Sequence, residues 1–115
     1  MNEYDLYQEI EQKKRELNAS VRMLRQTGTE LAEAERAYKI KLREYVLRLK
    51  ADGMAVGLIN LVIYGIKEVA DLRFERDRAQ YIYDANKDAV NSTKLQLRLL
   101  DNQLQREWAT PQAGM

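Results

Sequence analysis

Met54-Ala55-Val56-Gly57-Leu58-Ile59-Asn60-Leu61-Val62-Ile63-Tyr64-Gly65-Ile66 is an uncharged run set between two long, charged stretches of helical pattern. Its thirteen residues fall short of the roughly 20 that a membrane-spanning helix needs, so the run is not a span. Just before it, Ala51-Asp52-Gly53 has the form of a helix stop. Glycine lies past the end, and Arg48 and Lys50 sit in the last turn, where cations meet the negative end of the helix dipole. A short apolar helix over about residues 54 to 63 follows, and Tyr64-Gly65 ends it. The run therefore reads as the tip of a hairpin.

Working outward, the stretch before the tip carries apolar residues at alternating spacings of four and three. The positions are Leu17, Val21, Leu24, Gly28, Leu31, Glu35, Tyr38, Leu42, Tyr45 and Leu49, a heptad stripe. Traced backwards, the same phase passes through Lys14 and reaches Ile10 and Tyr7. Thr27 and Glu30 stand at capping-box spacing around Gly28. The phase does not reset there, however, because Leu24 and Leu31 remain seven apart. The expectation is one long helix from about residue 3 to 51, with a kink or a two-helix break at Gly28 as the alternative.

After the tip, Val69, Leu72, Arg76, Ala79, Tyr83, Asn86, Val90, Thr93, Leu97, Leu100 and Leu104 repeat the three-four pattern, predicting a second long helix over about 67 to 108. A second apolar flank through Ile82, Ala85, Ala89, Leu95 and Leu99 widens the face beyond a two-helix seam. Residues 109–115, which contain Pro111, the sole proline, read as a frayed tail. The fold class is thus all-α: a long antiparallel, coiled-coil-like helical hairpin, one domain over residues 1–115, with a short apolar helix at the turn. Dimerisation into a four-helix arrangement is expected to complete it, since symmetric dimers are the commonest oligomer.

Composition excludes much chemistry. The chain has no histidine and no cysteine, which removes imidazole bases, thiolate nucleophiles, disulfides and the zinc sites built from those ligands. No catalytic constellation, metal site or cofactor site is read. Glu68, Asp71 and Glu75 share a helix face, but Lys67, Arg73, Arg76 and Arg78 between and beside them make intrahelical ion pairing the simpler account. The acidic, polar amino terminus has no secretory pattern, which predicts a cytoplasmic protein.

Charge is uneven. Residues 36–78 hold ten basic and six acidic residues, whereas the remainder holds nine basic and twelve acidic. Arg36, Arg43 and Lys50 are seven apart on one outward face, with Lys39 close by. Such a row is a candidate for tracking nucleic-acid phosphates, although charges beside a heptad seam are more often solvated or paired with a neighbouring helix. A helix-turn-helix reading of residues 43–73 is disfavoured by composition, and the run reads rather as a core or interface element. The helix that would read bases carries only Asn60 as a polar group. The candidate surface for a protein partner is Met54, Leu58, Leu61, Val62 and Tyr64 at the tip, with Tyr81 and Trp108. Tyr38, Tyr45 and Tyr83 fall on the seams. Tyr4 and Tyr7 are further interface candidates, though Tyr4 fits neither stripe.

Several runs also resemble small helical proteins of phages and prophages of Gram-positive bacteria. They are Tyr38-Lys39-Ile40-Lys41-Leu42-Arg43, Arg48-Leu49-Lys50-Ala51-Asp52-Gly53-Met54, Glu68-Val69-Ala70-Asp71-Leu72-Arg73-Phe74-Glu75-Arg76-Asp77, Leu97-Arg98-Leu99-Leu100 and Gln105-Arg106-Glu107-Trp108. The resemblance spans about residues 30 to 108. It implies an intracellular protein of an infected or lysogenic bacterial host, among early genes for DNA metabolism or host takeover, and it carries no functional residue across. The resulting expectation is a non-enzymatic interaction protein that binds a host or phage protein. The alternative is an accessory nucleic-acid-binding protein that uses the basic half.

Overall fold

A computed structural model describes residues 2–109. Three α-helices follow one another: α1 (Glu3–Ala51), α2 (Val56–Val62) and α3 (Lys67–Ala109), with a 3₁₀ turn at Ile63–Gly65 between the last two. The protein is an all-α helical hairpin in which α1 and α3 pair through the three-four seams. No helix among the described residues is long and apolar enough to cross a membrane.

Local chemistry accounts for both ends of α1 and for the start of α3. Asn2 caps α1, its side-chain Oδ1 accepting the Asp5 amide at 2.8 Å, with Glu3 and Asp5 in the first turn at the positive end of the dipole. At the other end, Gly53 adopts φ +87°, where a side chain would be strained. The Gly53 amide donates to the Lys50 carbonyl and the Met54 amide to the Leu49 carbonyl, both at 3.0 Å. This paired closure satisfies carbonyls that the helix end leaves open. Ala55 is extended, with φ −64° and ψ 144°, so α2 starts at Val56 rather than at about 54. Ile66, also extended, begins α3 as its carbonyl accepts the Ala70 amide at 2.8 Å.

α1 runs without interruption through Gly28, so the two-helix alternative does not occur. Thr27 is a buried helix residue, not the start of a second helix. A Cβ on Gly28 would meet only Cε2 of Tyr83, at 3.6 Å. The helix therefore passes at ordinary packing distance from its neighbour, with no steric demand for glycine.

The chain gathers into two compact units that divide at residues 25/26 and 84/85. In the unit of residues 26–84, α1 and α3 run antiparallel around the tip, and Tyr38, Ile59, Ile63 and Val69 form the buried core. Burying such side chains is worth about 1.5–3 kcal/mol each. Arg76 lies on this seam yet stays charged. Its guanidinium sits over the Tyr38 ring at 4.7 Å and donates to Asp77 at 2.8 Å, and Asp77 pushes its already high pKa further up.

In the unit of residues 2–25 with 85–109, Leu6, Ile10 and Val90 are buried, together with Asn86. Asn86 Nδ2 donates to the Ser20 carbonyl at 3.2 Å, linking α3 to α1. All eleven α3 seam positions read from sequence are buried or half-buried, as are nine of the ten on α1. Val21 is the exception. It is exposed, whereas the neighbouring Ser20, whose carbonyl accepts from Asn86, is half-buried. Of the expected frayed tail, Ala109 is still helical, and residues 110–115 lie outside the described residues.

Candidate functional site

In the tip unit, α2 buries Ile59 and leaves Leu58, Leu61 and Val62 exposed, Leu61 at 82%. Tyr64 is exposed as well, with the Arg73 guanidinium 4.8 Å from its ring centre. Met54 is half-buried in the link before α2 and contributes least to this apolar surface. Tyr81 is exposed on α3 in the same unit, away from the tip.

Most basic side chains of the unit are neutralised by neighbours. Lys39 pairs with Glu35 at 3.6 Å, Lys41 with Glu44 at 3.1 Å and Glu68 at 3.4 Å, and Arg48 with Glu44 at 3.4 Å. Lys67 pairs with Asp71 at 2.6 Å and Arg78 with Glu75 at 4.0 Å. Arg36, Arg43 and Lys50 are exposed and make no ion pair among the described residues. The row read from sequence thus separates into three solvated cations and Lys39, which is paired.

Glu68 joins the helices near the tip. Hydrogen bonding from Tyr45, then from Lys41, holds its carboxyl below the usual carboxylate range. Glu44 and then Glu68 raise the pKa of Lys41, and Asp71 raises that of Lys67. The acidic trio of Glu68, Asp71 and Glu75 is divided among these partners. Among the described residues no group of three acidic side chains is arranged to hold a metal ion.

Sequence reading passed over Ile40, Leu47 and Phe74, which are large, apolar and exposed. The signal was present: Ile40 and Leu47 are seven apart, as are Phe74 and Tyr81. Each pair falls off the seam stripe of its helix.

In the other unit, Tyr4, Tyr7 and Trp108 are exposed. Tyr7, Leu104, Gln105, Trp108 and Ala109 line an apolar cleft of about 600 Å³. Tyr4 flanks an adjoining cleft with Glu3, Tyr7, Leu104 and Trp108, which gives that residue a place the stripes did not. Leu95 and Leu99, from the second apolar flank, are exposed too.

No protein-family model, curated protein or solved structure matches the chain.

Proposed function

We propose that the chain is a non-enzymatic interaction protein that acts as a dimer and binds a protein partner through exposed apolar helix faces. The carrying observation is the amount of such surface on both long helices. Ile40 and Leu47 on α1 and Phe74, Tyr81, Leu95 and Leu99 on α3 are each more than half exposed. Apolar surface of this kind is stabilised by being covered. The resemblance to small phage proteins makes a host or phage protein in the bacterial cytoplasm the natural further partner. Light scattering tests the dimer: a mass near 13.5 kDa at micromolar concentration excludes it.

A second reading has its own observation. Arg36, Arg43 and Lys50 form a solvated basic row, and such a row suits a phosphate backbone. Affinity for short single- and double-stranded DNA across a salt series tests it. Three phosphate contacts give a log–log salt slope of about −3 on duplex, and Arg36→Glu with Arg43→Glu and Lys50→Glu abolishes binding. A flat salt response removes this reading.

A further inference from the structure

We propose that the outer face of α3 in the unit of residues 2–25 with 85–109 is a self-complementary interface, on which α3 of a second copy of this chain lies antiparallel. The inference rests on the dimer reading above and names the face that carries it. Asp88, Ser92, Leu95, Leu99, Asn102 and Arg106 follow one another at spacings of four, three, four, three and four. Such spacing puts all six on one helix face.

That face points away from α1. Leu95 and Leu99 stand two residues either side of the seam residue Leu97, about 200° around the helix from it. All six residues are exposed, Leu95 at 52% and Leu99 at 58%. A three-four pattern with leucines at its centre, turned to solvent, is that of a helix that receives another helix.

The order of spacings reads the same in both directions, so an antiparallel copy of α3 presents matching steps. With Leu97 of the two copies at one level, Asp88 meets Arg106, Ser92 meets Asn102 and Leu95 meets Leu99. Because α3 alone supplies the contacts, a two-fold axis perpendicular to it satisfies every pair at once, each pair occurs twice, and the assembly closes at two. Asp88 makes no ion pair within its own chain among the described residues. Arg106 is engaged within its own chain, and the five donors of a guanidinium can serve a second carboxylate as well.

Leucines form the middle of this contact, the Ser92 hydroxyl and Asn102 amide flank them, and opposite charges close both ends. Specific interfaces share that order of apolar centre and polar rim. A parallel copy would set Asp88 against Asp88 and Arg106 against Arg106, so charge selects the antiparallel pairing. The six positions span about 27 Å of helix. Such a contact is short, and the dimer is expected to come apart on dilution.

Charge reversal tests the pairing by sedimentation equilibrium at low salt, where exposed charges are least screened. Asp88→Arg and Arg106→Asp, each alone, set like charges opposite one another at both ends and are expected to raise the dissociation constant by at least about tenfold. Asp88→Arg combined with Arg106→Asp in one chain restores opposite charges and is expected to return it to the wild-type value. Leu95→Glu combined with Leu99→Glu is expected near 13.5 kDa, the mass of one chain, across the concentration series. All four positions are exposed, and circular dichroism verifies that each variant stays helical. A dimeric wild type whose dissociation constant none of these changes moves overturns this face and leaves dimerisation to another. Single reversals that weaken the dimer without recovery in the combined variant overturn the antiparallel register. A monomeric wild type overturns the dimer reading itself, and with it this inference.

Discussion

The Tyr45 hydroxyl donates to Glu68 Oε1 at 3.0 Å, tying the last part of α1 to the first turn of α3. Lys41 meets the other oxygen of the same carboxylate at 3.4 Å. Because these bonds favour the ionised form, the carboxyl of Glu68 titrates below its ordinary value of 4.5. A carboxyl whose pKa is depressed by folding stabilises the fold above its unfolded pKa and loses that contribution as pH falls through the folded value. Melting temperature is therefore expected to drop below about pH 4.5 in part through this group. Glu68→Gln should flatten that segment of the melting curve against pH. An unchanged acid limb would show that the bond contributes nothing to the folded state.

The glycines divide sharply. Gly28 is an ordinary helix residue with room for a Cβ at 3.6 Å from Tyr83, so Gly28→Ala should stabilise the protein by about 0.5–1 kcal/mol through helix propensity. Gly53 holds φ +87°, so Gly53→Ala should destabilise it by about 1–2 kcal/mol. Urea unfolding of the two variants checks both signs.

The tip residues are expected to separate folding from binding. Ile59 is 2% exposed, and Ile59→Ala should cost about 2–5 kcal/mol, the range for a large-to-small core change. Leu61 projects into solvent, and Leu61→Asp should change stability by no more than about 0.5 kcal/mol. A large loss with Leu61→Asp in thermal unfolding would mean that this side chain is packed.

Asn86 is the buried polar residue of the α3 seam for which a bond across to α1 is in place. Asn86→Ala should cost about 1–2 kcal/mol, since the lost hydrogen bond alone is worth about 1 kcal/mol. Faster amide exchange around Ser20 in that variant would show that the bond also holds the local pairing of the two helices.

Much of this architecture was legible in the residues, because heptad spacing and a glycine stop are local signals. Leu24 and Leu31 carried the phase across Gly28, and Gly53 closed α1 as its neighbours predicted. Val21 misled because α1 meets α3 there through the Ser20 carbonyl, which accepts from Asn86, 66 positions along the chain, and no local pattern encodes that bond. Asn2 was passed over as a cap. The surface was read less well. Arg36, Arg43 and Lys50 are legible as a basic row, but Ile40 and Leu47 are not singled out, because heptad spacing marks the inner stripe and does not say which other apolar side chains stay exposed. Only their exposure in the folded chain makes the alternation of charge and apolar side chains visible as a second face.

The dimer is tested most directly by sedimentation equilibrium of the unmodified chain over a micromolar concentration series at moderate salt. The account predicts a species of about 27 kDa, twice the 13.5 kDa of one chain, that dissociates on dilution. A mass that stays at 13.5 kDa across the series would contradict it.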